Sequence, residues 1–384
     1  MYVITDTQAL GKFAASLRNR PFVAVDTEFM REKTYWPILC LIQAAAEGVE
    51  AIVDPLAKGI DLAPFLDVMD DKKVVKVFHA ARQDLEIFHR LMDTTPAPLF
   101  DTQIAAMACG FGDQIGYEPL MRGLLNARID KGHRFTDWAR RPLSEAQLAY
   151  ALSDVTHLRD AYPVLNEKLD GDGRRAWVEE EMTALLDPGL YRIEPENAWA
   201  RMRMKGVRTK EIGPFIKICE WREREAQSRD LPRNRVLKDE AIFELARLRP
   251  ASAAEMAQAR SVPSGFERSK AGAALLNAIA EGKALPKEML PKLEKQARRK
   301  PPPADVVDLL RVLLKRQCEA FHVAPKLIAS AADLEAIALD DEADVPALSG
   351  WRREVFGEQA LKLKRGELAL KLKNGGIELV ETDV

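Results

Sequence analysis

The apolar run Phe22-Val23-Ala24-Val25 ends on Asp26-Thr27-Glu28, and this stretch most narrows what the chain can fold into. Four apolar residues rich in β-formers read as a short buried strand. Successive side chains on a strand leave opposite faces, so Asp26 and Glu28 leave the same one. Two carboxylates projecting together from a buried strand are costly unless a cation lies between them. A divalent metal would supply that charge. A strand end at which both acids reach water would also satisfy them, and an isolated Asp-x-Glu does not choose between the two.

The neighbouring sequence sets this strand in a mixed sheet. Ile38-Leu39-Cys40-Leu41-Ile42 and Ala51-Ile52-Val53-Asp54 follow closely, and the spacing predicts an antiparallel meander. Asp61 to Asp70 reads as a helix, Val74-Val75-Lys76-Val77-Phe78 as another buried strand, and Ala80 to Met92 as a helix with Leu85, Phe88, Leu91 and Met92 on its apolar stripe. Strands alternating with helices after a meander imply a mixed sheet with helices on its faces.

From about Thr102 onward the pattern is helical. Ser144-Glu145-Ala146-Gln147 fits a capping box, and the helix it opens is predicted to run to about Tyr162, ahead of Pro163. Asp187-Pro188-Gly189 marks a turn approaching a domain boundary. Two later segments look like copies of one helical unit, centred on Trp221 to Ala280 and on Val307 to Leu370. The stretch between them, Ala284-Leu285-Pro286 to Pro301-Pro302-Pro303, is rich in Pro and Lys, as a linker would be. Two copies are too few for a solenoid, so two small bundles are expected, with a frayed tail after Gly375-Gly376.

The net charge of −2 hides a segregation. Residues through Ala200 hold 22 Lys and Arg against 31 Asp and Glu, whereas Arg201 to Lys300 hold 24 against 13. An acidic first part joined to a basic middle suits a metal–carboxylate site beside a polyanion-binding module, and it equally suits solvated helix faces. No basic stretch followed by an apolar run opens the chain, and no apolar stretch is long enough to span a bilayer. Cys40, Cys109, Cys219 and Cys318 are dispersed without metal-ligand spacing, which fits a reducing cytoplasm.

Further acids fall at telling places. Tyr150 and Asp154 are spaced i,i+4 on the capped helix and project from one face, close to apolar Ala151 and Leu158. Asp84 lies in the first turn of its helix, where the dipole favours an anion whether or not it does anything else. Asp101 reads as a helix cap.

Asp26-Thr27-Glu28-Phe29, His79-Ala80-Ala81-Arg82-Gln83-Asp84-Leu85 and Tyr150-Ala151-Leu152-Ser153-Asp154 together resemble the three exonuclease motifs of the DEDD superfamily. The Tyr four residues before the last Asp places the resemblance in the DEDDy branch. Asp130-Lys131, Thr136-Asp137-Trp138 and Arg141-Pro142-Leu143 bring it closer to the ribonuclease D family. The two helical segments resemble HRDC modules, the second through Leu348-Ser349-Gly350-Trp351-Arg352-Arg353-Glu354 and Phe356-Gly357. The resemblance implies an α/β mixed-sheet, ribonuclease H-like exonuclease domain over residues 1–190. An HRDC-type helical domain over 208–286, a linker over 287–303 and a second HRDC-type domain over 304–375 would follow.

The resemblance also implies 3′→5′ hydrolysis of RNA ends, tRNA precursors above all, with release of nucleoside 5′-monophosphates by a monomeric cytoplasmic enzyme. Two Mg²⁺ or Mn²⁺ ions would serve the reaction. Asp26 would bridge them, Glu28 and Asp154 would complete the first ion's shell, and Asp84 would hold the second. Tyr150, with an ordinary pKa near 10, would orient the attacking water. His79 and His157 read as supporting or ordinary residues rather than ligands. Lys131 and Phe29 are candidates for contacts to the terminal nucleotide. The cluster Arg222, Arg224, Arg229, Arg233, Arg235 and Lys238 is a candidate for tracking the RNA backbone. A DNA exonuclease acting in repair is the main alternative, because the three motifs do not distinguish RNA from DNA. A non-catalytic nucleic-acid-binding protein is the other, although such proteins usually lack one of the acids present here.

Overall fold

The computed structural model describes residues 3–129, 132, 136–204, 206–291 and 301–382. β1 (Val3–Ile4) and α1 (Thr7–Leu17) lead into the expected meander of β2 (Phe22–Met30), β3 (Ile38–Ala46) and β4 (Val49–Val53). α2 (Ala63–Asp70), β5 (Val75–Phe78), α3 (Arg82–Met92) and β6 (Leu99–Asp101) follow. β5 pairs with β2, β6 with β5 and β1 with β4, all in parallel, giving the order β1-β4-β3-β2-β5-β6. β2 is therefore interior and covered on both faces, which is why Val23, Ala24 and Val25 are fully buried. The two-residue β1 is too short to leave a periodic signal in the sequence.

α4 (Thr102–Ala108), α5 (Tyr117–Leu125), α6 (Glu145–Gly171) and α7 (Arg175–Leu185) complete the first unit. The capping box at Ser144 and Gln147 is formed. The predicted stop before Pro163 is corrected: α6 continues through it to Gly171. Leu158, Ala161, Leu165 and Leu169 carry the buried stripe straight across the proline. Pro163 itself is exposed, so water can take the carbonyl that loses its helix donor.

The next unit contains α8 (Thr209–Ser228), the single turn α9 (Arg233–Val236), α10 (Asp239–Leu248), the single turn α11 (Ala253–Met256) and α12 (Lys270–Ala284). α8 and α12 cross at bare backbone. A Cβ at Gly213 would lie 2.1 Å from the Gly282 carbonyl oxygen, and one at Gly282 would lie 2.5 Å from that of Gly213. Phe215, Ile218, Leu245, Leu275 and Ile279 fill the core of this unit. Tyr35, from the β2–β3 loop, is buried in the same cluster, so the loop is docked on the helices rather than free. Asp230 accepts hydrogen bonds from the Tyr35 and Trp36 backbone amides at 3.0 Å each.

The last helical region holds α13 (Ala304–Phe321), α14 (Pro325–Ile328), α15 (Ala331–Leu339), α16 (Gly350–Arg352), a π-turn over Arg353–Gly357, and α17 (Glu358–Arg365). Its core is continuous with that of the sheet unit, unlike that of a free-standing bundle. The Ala324 amide donates to the Met107 carbonyl at 2.9 Å, and Trp177 stacks on Trp351 with centroids 4.1 Å apart. The expected frayed tail is also corrected. β7 (Leu368–Lys373) and β8 (Gly376–Glu381) form a hairpin. Asn374 and Gly375 both have positive φ, as a two-residue type I′ turn requires. Most of the linker expected at 287–303 lies outside the described residues. Among the described residues, no helix is long and apolar enough to cross a membrane.

Candidate active site

β2 delivers the first two acids. Asp26 and Glu28 lie opposite Gln43 and Leu41 of β3, and a register shift between Glu28 and Phe29 skips Cys40 before pairing resumes at Phe29 and Leu39. Such an irregularity re-aims side chains at a strand end. α6 crosses β2 and β3 and brings in Asp154. Asp26, Glu28 and Asp154 each offer a carboxylate oxygen, and these atoms lie within 4.8 Å of one another. The fourth acid, Asp84, stands in the first turn of α3 and is 7% exposed. Its Oδ1 accepts a hydrogen bond from Thr27 Oγ1 at 2.5 Å, which ties α3 to β2.

Asp101 sets where α3 begins. Its carboxylate accepts from the Ala80 amide at 3.0 Å and the Ala81 amide at 2.9 Å, and it caps α4 through the Gln103 amide at 2.8 Å. Ala80 has a φ of 59°, a left-handed conformation that costs an L-residue about 1 kcal/mol and needs such anchoring. The sequence reading of Asp101 as a cap holds, but the residue also aims Asp84.

The electrostatics favour a cation. Burial raises the Asp26 carboxyl to about 6, a rise partly offset by the Thr27 backbone hydrogen bond. Burial and then the nearby Asp26 raise Asp84 well above the usual carboxylate range. A further polar group is stranded nearby: Gln43, directly opposite Asp26, is fully buried, and neither atom of its amide has a hydrogen-bond partner. Clustered, desolvated carboxylates and an orphaned amide fit a divalent cation with its bound waters, and an all-oxygen donor set suits a hard ion.

The cleft at these acids has a volume of about 560 Å³ and is also lined by Phe29, His79, Tyr117 and Tyr150. Tyr150 stacks on Trp138, with centroids 6.1 Å apart. The Tyr117 hydroxyl donates to the backbone carbonyl of Asp154, and its ring meets His79 edge-on at 5.5 Å. His79 Nδ1 lies 3.0 Å from Thr102 Oγ1, and His79 is not one of the three residues whose ligand atoms cluster. His157 bonds the Ser153 carbonyl within α6, as an ordinary helical residue does. Lys131 lies outside the described residues. Sequence reasoning missed Tyr117 and Gln43; neither sits in a pattern that separates it from ordinary helix or strand residues.

The arginine cluster divides. Arg222 is 6% exposed, with Nη1 donating to the Leu237 carbonyl at 3.0 Å and to Asp239 at 2.5 Å. Arg233 grips the buried Glu223 with two hydrogen bonds of 2.6 and 2.7 Å and also reaches Tyr35. Both are thus held in fixed positions within the helical unit rather than standing free on its surface. Arg224 is held by Glu196 and Glu220, and Arg229 lies 3.7 Å from Glu225. Arg235 and Lys238 are exposed.

Comparison with known proteins matches residues 1–170 to a 3′-5′ exonuclease domain family and residues 215–279 to the HRDC domain. The ribonuclease D of Granulibacter bethesdensis is 48% identical over 99% of this chain and 96% of its own length. That of Gluconacetobacter diazotrophicus is 51% identical over 95% and 93% respectively. The chain belongs to the ribonuclease D family. The crystal structure of Escherichia coli RNase D, described as an exoribonuclease involved in structured RNA processing, superposes with a TM-score of 0.82 at 29% identity, covering 95% of this chain and 99% of that one. As a ribonuclease D, the protein is a hydrolytic, divalent-metal-dependent 3′→5′ exoribonuclease.

Proposed function

We propose that the protein trims the 3′ ends of structured RNAs, tRNA precursors foremost, with two Mg²⁺ or Mn²⁺ ions held by Asp26, Glu28, Asp84 and Asp154. The observation that carries this reading is the approach of Asp26, Glu28 and Asp154 carboxylate oxygens to within 4.8 Å in an open cleft. In this assignment Asp26 serves both ions, Glu28 and Asp154 hold one, and Asp84, steadied by Thr27, faces the other. Bound divalent ions supply the charge that activates water and stabilises the leaving 3′ oxygen. Tyr150 orients the attacking water from its stacked position on Trp138, and Phe29 lies against the terminal nucleotide. Each cycle releases a nucleoside 5′-monophosphate.

The substrate class draws on the ribonuclease D relatives and on the printed description of the E. coli protein. The proposed boundaries are 1–190 for the exonuclease unit, 208–286 for the first HRDC-type unit and 304–375 for a second one, in a monomeric chain. The test is digestion of 5′-labelled RNA and a matched DNA, each with a free 3′ end, in Mg²⁺ or Mn²⁺. A ladder that shortens from the 3′ end on RNA, with 5′-monophosphate products and no activity in Asp26→Asn, is expected. Equal turnover by Asp26→Asn would overturn the assignment, and preference for the DNA would overturn the substrate.

A further inference from the structure

Phe29 and Arg31 stand two residues apart at the end of β2, yet they line different cavities. Phe29 faces the acidic cleft. Arg31 lines a second cavity of about 500 Å³ between the β2–β3 loop and the first helical unit. At about 3.3 Å of rise per residue the two positions are about 7 Å apart along the chain. Adjacent positions of one chain segment therefore line both cavities.

The cavity is lined by Arg31, Arg201, Arg222 and Arg233 against two acids, Glu223 and Asp239. Three of these guanidinium groups already have carboxylate partners. Arg31 pairs with Glu86 of α3 through contacts of 2.6 and 2.8 Å, Arg233 pairs with Glu223, and Arg222 pairs with Asp239. Arg201 is exposed, and its charge acts on Glu223 without an ion pair to a described residue. The Nε of Arg222 is buried and has no hydrogen-bond partner, although the rest of that side chain is fixed. A buried guanidinium nitrogen without an acceptor is costly, and an anion in the cavity in front of it offsets that cost through its charge. The fixed arginines hold the walls in place, so little ordering is needed when a ligand arrives.

We propose that this cavity is a phosphodiester subsite: it holds a backbone phosphate of the RNA upstream of the 3′-terminal nucleotide, with Arg201 as its hydrogen-bond donor and the buried, under-satisfied Arg222 as a fixed positive charge behind it. This rests on the exoribonuclease reading above. It makes the first helical unit and the β2–β3 loop joint walls of one substrate path, with the loop pinned to the helices by Tyr35.

The test measures KM and kcat on a 12-nucleotide single-stranded RNA as a function of salt, for the full chain and three variants. Arg201→Glu should raise KM about tenfold with kcat within about twofold, and the slope of log(kcat/KM) against log[salt] should shrink by about 0.7, the share of one single-strand phosphate. Arg201→Lys should recover most of the affinity. Lys270→Glu, on the same unit but outside the cavity, should change KM less than about twofold. An unchanged KM and salt slope in Arg201→Glu would overturn the subsite, as would an equal loss in Lys270→Glu, which signals only a diffuse positive field. Wild-type protein that failed to shorten the RNA at all would instead sink the exoribonuclease reading on which the subsite depends.

Discussion

Thr27 Oγ1 donates to Asp84 Oδ1 across 2.5 Å, so a residue between the first two acids on β2 fixes the acid on α3. Thr27 points away from Asp26 and Glu28 by strand alternation, which is how one short segment can serve both sides of the site. Replacing it with the isosteric Val keeps the packing and deletes only the donor. Thr27→Val should lower kcat about 10- to 100-fold, the usual penalty for losing a partner that orients a metal ligand. Thermal stability should move by less than about 2 °C. Loss of activity accompanied by a large drop in Tm would show that Thr27 matters for folding instead.

Asp26 makes the metal-free protein pH-sensitive. Its carboxyl titrates at about 6 in the folded chain, against 3.8 for the free group. The folded state therefore binds the proton more tightly, and stability falls as pH rises from about 4 through about 6. The span corresponds to about 2 kcal/mol once residual solvent contact is allowed for. Asp26→Asn should reduce this slope in EDTA, with the buried Asp84 keeping its own share, and raise Tm at pH 7, while abolishing both turnover and the Tm rise that Mg²⁺ or Mn²⁺ gives the wild type. Denaturation scans at several pH values, with and without the ion, check all three outcomes.

Gly213 and Gly282 let α8 and α12 touch backbone to backbone. The Cβ of Gly213→Ala would meet the Gly282 carbonyl oxygen at 2.1 Å, and neither helix can yield without disturbing the core around Phe215 and Ile279. Helix propensity favours the alanine by about 1 kcal/mol, but a backbone clash in a packed core costs more. Gly213→Ala should destabilise the first helical unit by about 1–3 kcal/mol, read as faster proteolysis within residues 209–284. Unchanged protease resistance would mean that the helices separate freely.

The β2–β3–β4 meander and the Asp84 and Asp154 helices were legible because apolar periodicity is a local property. The convergence of Asp26, Glu28 and Asp154 was legible only through the family motifs, because strand register and helix crossing are fixed by distant parts of the chain. Arg222 and Arg233 read as part of a basic cluster that tracks the RNA backbone, and their burial depends on Asp239, Glu223 and on Tyr35, which lies nearly 200 residues away. The terminal hairpin was a different failure. Its alternating leucines and Asn374-Gly375 were a local signal, overridden by reading the two glycines as a chain end.

Gln43 offers the sharpest separation of stability from function. Its amide is fully buried opposite Asp26 with no partner, which by itself destabilises the fold by about 1–3 kcal/mol. A strand residue kept under that penalty is explained if the amide reaches the waters or carboxylates of a loaded site. Gln43→Met has nearly the same length and no hydrogen-bonding demand. It should raise the Tm of the metal-free protein by a few degrees and weaken divalent-ion binding about 10-fold, as read by calorimetric titration. If ion affinity stays at the wild-type level while Tm rises, the amide serves no purpose at the site. If Tm falls, the amide contributes a hydrogen bond in the metal-free chain, and its role is structural.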